Sequence, residues 1–170
     1  MTIDEFNALS DAKAIESLTS CCGAHRWVAT MMAHRPFASI ASIIDAANDA
    51  WRESTEPDWR EAFDHHPRIG ESQSATRQTT QAASWSSNEQ GGASAGDASV
   101  KQQLADINAE YESRFGHIYI VCASGRSAGE LLSIAQSRLS NSPATELRVA
   151  AEEQRKITEL RLRKLLSEAS

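Results

Sequence analysis

His66 is the residue whose type and position are best suited to moving protons. It lies in the run Asp64-His65-His66-Pro67-Arg68-Ile69-Gly70-Glu71, directly before a proline. A proline disfavours the α conformation in the residue before it, so we expect His66 where a helix ends and the chain turns outward. The unperturbed pKa of an imidazole, roughly 6.5, suits it to general acid–base chemistry near neutral pH. Two histidines that only cap a helix are the alternative.

A second group of polar residues follows about twenty positions later. Ser86 and Glu89 are three residues apart, so on a helix they face the same side of one turn. Gln90 comes next, directly before two glycines. The Ser-x-x-Glu spacing is equally that of a capping box, and Gln90 could belong to an ordinary helix end.

Arg161 is the third candidate, in the apolar context Leu160-Arg161-Leu162. It stands out because it occurs beside apolar residues and not in a plainly solvated charge run. A surface charge without a role in binding is the alternative. The three groups are therefore candidates for a functional site.

Helical elements must position these side chains, because nearly every segment repeats its apolar residues at three- to four-residue spacing. At 170 residues the chain is predicted to form one domain, residues 1–170, with an all-α fold of about eight helices. Caps, prolines and glycines mark their ends. We expect helices at residues 4–15, 24–35, 40–51, 81–90, 97–115, 127–139 and 143–166, and a further helix that begins at residue 57.

Two kinds of segment depart from this pattern. Residues 117–123 are β-branched, aromatic and about as long as a strand. With no partner strand visible elsewhere, we expect an extended, buried connector and not a sheet. Polar residues from Glu71 to Thr80 and glycines between Gln90 and Ser99 predict irregular loops, where a lid or binding loop would lie.

Composition excludes several classes of function. The net charge of −6 without a lysine or arginine cluster argues against a nucleic-acid partner. No apolar run approaches the roughly 20 residues of a membrane span, and the first residues lack a signal-peptide pattern, so we expect a cytoplasmic protein. Cys21, Cys22 and Cys122 match neither a disulfide framework nor a zinc spacing, so we expect reduced thiols and no metal.

Ordered motifs along nearly the whole chain resemble the OHCU decarboxylases. This family acts on 2-oxo-4-hydroxy-4-carboxy-5-ureidoimidazoline in urate catabolism. The motifs that carry the resemblance are Arg35-Pro36-Phe37, His66-Pro67-Arg68-Ile69-Gly70, Trp85-Ser86-x-x-Glu89-Gln90, Phe115-Gly116, Ile120-Val121-Cys122-Ala123-Ser124-Gly125-Arg126, Arg138-Leu139-x-Asn141, Glu146-Leu147 and Lys156-Ile157-x-x-Leu160-Arg161-Leu162.

The resemblance implies an all-helical, cofactor-free homodimer that produces (S)-allantoin and carbon dioxide. It implies a catalytic role for His66 and for Glu89 as its acidic partner. Substrate binding is implied for Pro67, Ser86, Gln90 and Arg161 and, largely through backbone groups, for Tyr119, Ile120, Val121, Cys122 and Ala123.

Two other functions fit the same residues. In a hydrolase that acts on a ureide, His66 and Glu89 would activate water. In a helical interaction module without catalysis, the same side chains would be dispensable. Product analysis and substitution of His66 separate these alternatives from a decarboxylase.

Overall fold

The structure, a computed structural model, describes residues 1–71 and 78–166. Within these ranges the chain forms ten α-helices and no strand, which confirms the all-α prediction. No helix among the described residues combines the length and the apolar character needed to cross a bilayer. The helices are α1 (Ile3–Asn7), α2 (Asp11–Cys21), α3 (His25–Ala33), α4 (Ile40–Arg52), α5 (Glu56–Phe63), α6 (Thr80–Glu89), α7 (Gly91–Ser94), α8 (Ala98–Phe115), α9 (Ala128–Arg138) and α10 (Pro143–Leu165).

The described residues form two more helices than the eight that the sequence predicts. One of the two arises because the predicted first helix is divided into α1 and α2. Ser10 adopts an extended conformation and separates α1 from α2. The guanidinium of Arg35 donates to three carbonyl oxygens at the end of α1, those of Phe6, Asn7 and Leu9, at 3.1, 2.7 and 2.8 Å. A cation that binds the last carbonyls stabilises a helix end. A distant arginine therefore contributes to ending α1, which local periodicity could not indicate.

The other additional helix, α7, lies where the glycines predict a loop. A Cβ on Gly92 would stand 1.9 Å from the carbonyl oxygen of Arg126, whereas a Cβ on Gly91 would meet nothing within 4 Å. Gly92 thus permits a close approach of two backbones, and the loop prediction is wrong for residues 91–94. Residues 72–77 of the other predicted loop lie outside the described ranges.

The chain divides into two compact units, Met1–Ala62 with Arg155–Ser170, and Phe63–Gln154. The single domain expected from chain length stays a prediction. In the first unit the indole N–H of Trp27 donates to the carbonyl oxygen of Ala47 at 3.1 Å. Phe6, Leu18, Met31 and Ile43 are also among the largest fully buried side chains of this unit.

Tyr111 on α8 lies at the centre of the second unit's core and is fully buried. The ring centroids of Phe115, His117 and Tyr119 lie 4.7, 5.5 and 5.5 Å from its own. Gly116 ends α8 with φ +73°, a left-handed conformation that glycine adopts without steric cost. This turn directs the chain from α8 into the segment before α9.

That segment, residues 117–123, is called the connector below. Residues 118–123 form neither helix nor strand, and no strand lies beside them among the described residues, as the sequence predicts. Most of the connector's apolar side chains are buried, namely Tyr119, Ile120, Val121 and Ala123, while Ile118 and Cys122 are partly exposed. The connector therefore contributes side chains to the core without belonging to a sheet.

Candidate active site

His66 lies just beyond the carboxyl end of α5, as the His-Pro sequence predicts. The helix ends at Phe63, whose carbonyl oxygen accepts a hydrogen bond from the His66 backbone N–H at 3.0 Å. Pro67 is buried, whereas His66 is only partly buried. The proline anchors the backbone while the imidazole keeps some access to solvent.

The imidazole of His66 has a partner that the sequence analysis did not assign to the site. Its Nε2 lies 2.7 Å from Oε1 of Gln154, a fully buried residue of α10. Gln154 lies in the apolar stripe that includes Ala150, Ala151 and Ile157. A polar residue within such a stripe needs a hydrogen-bond partner when it is buried. The polar residue in this stripe was therefore the feature of the sequence that could have indicated Gln154 as a site residue.

The three polar residues at the end of α6 are all buried. Ser86, Glu89 and Gln90 expose 2%, 8% and 6% of their surface. Thr79 caps α6 by accepting a hydrogen bond from the backbone N–H of Ala82 at 3.1 Å. Ser86 and Glu89 lie near the carboxyl end of α6, away from its N-cap, so the capping-box interpretation is wrong, and their burial calls for another explanation.

Hydrogen bonds tie this end of α6 to its surroundings. The Ser86 hydroxyl accepts from the Gln78 amide at 2.6 Å. The Gln90 side-chain oxygen accepts from the backbone N–H of Gly70 at 2.9 Å. Because Gly70 belongs to the His66–Gly70 motif, Gln90 joins the end of α6 to the segment that carries the histidine.

Glu89 acts electrostatically on the connector. Burial raises the pKa of the Cys122 thiol above its usual range, and the negative charges of Glu153 and Glu89 raise it further. A side-chain oxygen of Glu153 also accepts from the backbone N–H of Cys122 at 2.8 Å. The charge of Glu89 thus acts on Cys122 of the connector. Its pairing with the His66 ring stays a prediction.

Hydrogen bonds join the connector to α9 and to the residues just before it. Arg138 on α9 donates through Nη1 to the carbonyl oxygen of Ile120 at 2.7 Å, and Arg126 donates to that of Cys122 at 3.2 Å. The Tyr119 hydroxyl donates to the carbonyl oxygen of Leu131 at 3.0 Å. The connector is thus held in place although it lacks a partner strand.

A buried polar cluster lies behind the connector. Arg138 and Glu146 form an ion pair there, and the hydroxyl of Tyr111 donates to the same carboxylate. The arginine also lies over the ring of Tyr119, with 5.0 Å between the guanidinium carbon and the ring centroid. Burial raises the pKa of both tyrosines above the usual range, so their hydroxyls stay protonated and act as donors.

Arg161 belongs to the first unit and is only 2% exposed, so the interpretation as a surface charge is wrong. Its Nη1 donates to the carbonyl oxygen of Ser20 at 3.2 Å. The thiol of Cys22 is buried nearby, and burial raises its pKa to about 12 although the charge of Arg161 lowers it. The role of Arg161 in substrate binding stays a prediction.

The three cysteines are free thiols, two of them buried. Across residues 1–71 and 78–166, no three histidine, cysteine, aspartate or glutamate side chains are grouped in a way that could hold a metal ion. The candidate site residues of α6, the His66 segment and the connector offer an imidazole, a carboxylate, a hydroxyl, amides and backbone groups.

Comparison with known proteins identifies the relatives of this chain. The uric acid degradation bifunctional protein TTL of Arabidopsis thaliana is 38% identical over 148 residues, which cover 87% of this chain and 46% of the plant protein. The chain thus spans about half the length of that relative. The 2-oxo-4-hydroxy-4-carboxy-5-ureidoimidazoline decarboxylase of Haloferax volcanii is 25% identical over 165 residues, covering 95% of this chain and 94% of the archaeal protein.

Comparison of folds finds relatives of the same kind. A crystal structure of an OHCU decarboxylase in the presence of (S)-allantoin superposes with a TM-score of 0.77 at 35% identity, covering 94% of this chain and all of the other. An (S)-allantoin synthase shares the fold at 14% identity, with a TM-score of 0.72. The family model for OHCU decarboxylase matches residues 7–163. The chain belongs to the OHCU decarboxylase family.

Proposed function

We propose that this protein decarboxylates 2-oxo-4-hydroxy-4-carboxy-5-ureidoimidazoline to (S)-allantoin and carbon dioxide in urate degradation. Membership of the family supports the reaction, and a structural relative at 35% identity was crystallised with (S)-allantoin. The observation that carries the proposal is the buried polar set Ser86, Glu89 and Gln90, which Gln90 joins to the His66 segment. Buried polar groups beyond the needs of a helix are typical of a site that binds a polar ligand.

The substrate's own chemistry explains why residues of these types suffice. The carboxylate that departs is on C4, and the neighbouring C5 is doubly bonded to nitrogen. Electrons released with carbon dioxide can therefore flow into the imine, so the reaction needs no external electron sink. The enzyme has to hold the scissile bond perpendicular to the imine, assist proton movement and protonate C5 from one face.

His66 is the proposed proton donor. As an imidazolium it can lower the cost of negative charge that develops on the substrate and then protonate C5. Glu89 would favour the protonated ring. Placed near the substrate carboxylate, it would also favour a transition state that is losing that charge.

The remaining residues are proposed to bind the substrate. Ser86 and Gln90 offer both donors and acceptors for the ureido and ring amide groups. Pro67 and the backbone of the connector, from Tyr119 to Ala123, would line the pocket. Arg161 would bind a carbonyl or the carboxylate through its planar fork. From the resemblance we also propose that the protein is a cytoplasmic homodimer. Sedimentation equilibrium would measure the mass of the assembly.

Circular dichroism of the product tests the function. Freshly generated substrate should give (S)-allantoin faster with the enzyme than without it, and a racemic product at the uncatalysed rate would reject the proposal. Carbon dioxide released without ammonia separates decarboxylation from ureide hydrolysis. An interaction module would leave both readouts at the uncatalysed level.

A further inference from the structure

The partner of His66 at Nε2 is an uncharged side chain with fixed donor and acceptor ends. Oxygen Oε1 of Gln154 lies 2.7 Å from Nε2. An amide oxygen only accepts hydrogen bonds, so the hydrogen between the two atoms belongs to the imidazole. Nε2 of His66 therefore carries a hydrogen whether the ring is neutral or protonated.

We propose that Gln154 is a positioning residue that fixes the tautomer of His66, so that Nδ1 is the nitrogen that gains and loses a proton in the reaction. This inference rests on the proposed function, in which His66 protonates C5 of the substrate. The hydrogen bond made by one ring nitrogen determines which form the other takes. Loss of carbon dioxide leaves a C4=C5 double bond, whose electron pair forms the C5–H bond as the C4 hydroxyl loses its proton and becomes the carbonyl. The Nδ1–H bond breaks in this step, and its electron pair stays on Nδ1 as a lone pair.

An amide suits this role better than a carboxylate would. The proposed function already assigns one carboxylate, that of Glu89, to favour the protonated ring, and a second carboxylate at position 154 would oppose release of the proton. The amide of Gln154 orients the ring without adding a negative charge. Gln154 is fully buried, and its packing within α10 restricts the alternative positions of the acceptor.

The neighbouring residue on α10 supports the same geometry. Glu153 accepts from the backbone N–H of Cys122 at 2.8 Å, while Gln154 meets the ring of His66. Two consecutive residues of one helix thus hold the imidazole and the connector. Since both belong to the proposed site, α10 sets the position of the proton donor relative to the backbone that would line the pocket.

NMR of the free enzyme with ¹⁵N-labelled histidine rings tests the tautomer without any reaction. At a pH where the His66 ring is neutral, Nε2 should give the signal of a protonated nitrogen and Nδ1 that of a nitrogen with a lone pair. Loss of these signals in His66→Asn assigns them. The opposite pattern, with hydrogen on Nδ1, would overturn the proposal whatever the enzyme's activity.

Two variants of nearly the same size test the consequence. Gln154→Met removes the acceptor and should give a mixture of tautomers, with kcat reduced about tenfold, the usual effect of one lost hydrogen bond, and KM little changed. Gln154→Glu keeps an acceptor oxygen and should keep the Nε2–H tautomer. Gln103→Met makes the same change at an exposed position of α8 and should alter neither readout.

The experiments distinguish failure of the positioning role from failure of the proposed function. A folded Gln154→Met enzyme with an unchanged tautomer and kcat would refute the positioning role. If that variant does not fold, the wild-type and Gln154→Glu spectra decide, and hydrogen on Nδ1 in either would refute it. A wild-type enzyme with the expected tautomer but no decarboxylation would contradict the proposed function alone.

Discussion

Arg138 and Glu146 form an ion pair that is almost completely removed from solvent, with side-chain exposures of 7% and 0%. The Nε of the arginine donates to the carboxylate at 2.7 Å, while Nη1 reaches the carbonyl oxygen of Ile120. A buried charge is tolerated only when it is paired and hydrogen-bonded. The pair therefore fixes α9, α10 and the connector to one another.

Removal of one charge from this pair should destabilise the protein strongly. Glu146→Gln leaves Arg138 buried without its counter-charge, and we expect the free energy of unfolding to fall by about 3 to 5 kcal/mol. Urea denaturation measures the change. Glu56→Gln removes a carboxylate that pairs with Arg60 on the surface, with exposures of 54% and 41%, and should cost less than about 1 kcal/mol. Equal losses in the two variants would contradict this interpretation.

Substitution of the two adjacent histidines should have unequal effects on catalysis. His66→Asn removes the proposed proton donor and should lower kcat at least ~10²-fold, the usual scale for a positioned acid. His65→Asn, one residue earlier, should leave most of the activity. Stopped assays of allantoin formation give kcat, and far-ultraviolet circular dichroism checks the fold. Near-wild-type activity of His66→Asn would remove His66 from the mechanism.

Glu89→Gln should change both the activity and the reactivity of a nearby thiol. Loss of the carboxylate should lower kcat at least about tenfold if Glu89 assists proton transfer. The negative charge of Glu89 also raises the pKa of Cys122, so its removal should lower that pKa and increase the thiolate fraction. Cys122 should then react faster with iodoacetamide, as measured by mass spectrometry of the labelled peptide.

Glu110→Gln, an exposed change on α8, is the control for both effects. It should alter neither kcat nor the alkylation rate. Slower alkylation of Cys122 in Glu89→Gln would show that the carboxylate does not act on the connector as described.

Arg161→Lys tests whether the buried guanidinium binds the substrate. Lysine keeps the charge but not the planar fork, so we expect KM to rise about tenfold, the scale of one hydrogen bond to a charged group. Arg163→Lys makes the same change two residues later on an exposed part of α10. If kcat and KM of Arg161→Lys equal those of the wild type, the role of Arg161 is confined to structure.

The two adjacent glycines of α7 should respond differently to alanine. Gly92→Ala places a methyl group against the carbonyl of Arg126, and the resulting shift should cost about 1 to 3 kcal/mol. Gly91→Ala meets nothing within 4 Å and should be neutral or slightly stabilising. Thermal unfolding monitored by circular dichroism compares them. A stabilised Gly92→Ala protein would contradict the close approach.

Local periodicity was sufficient to predict most helices. Helix α4 lies where the apolar spacing predicts a helix at 40–51: Ile43, Ile44, Ala47 and Trp51 are buried, and Ser39 caps it. The break between α1 and α2 was missed because it involves Arg35, a residue from a distant part of the sequence. Likewise, Gly92 was taken for a loop residue because the backbone it approaches is more than thirty positions away.

The sequence indicates residue types for a candidate site, whose roles stay predictions, but it does not indicate which side chains pair. Ser86 and Glu89 are buried, consistent with a role beyond capping. The partner of the His66 ring, Gln154, lies 88 positions away, and no spacing rule relates the two. Such a pairing depends on how helices pack, which the apolar pattern of either helix alone does not determine.

The connector has a consequence for the behaviour of the protein at high concentration. Extended segments rich in β-branched and aromatic residues can pair with other chains through open backbone groups and so promote aggregation. Here Arg138, Arg126 and Glu153 occupy backbone groups of Ile120 and Cys122, and most of the side chains are buried. The polar side chains that shape the site thus also protect this segment from pairing between molecules.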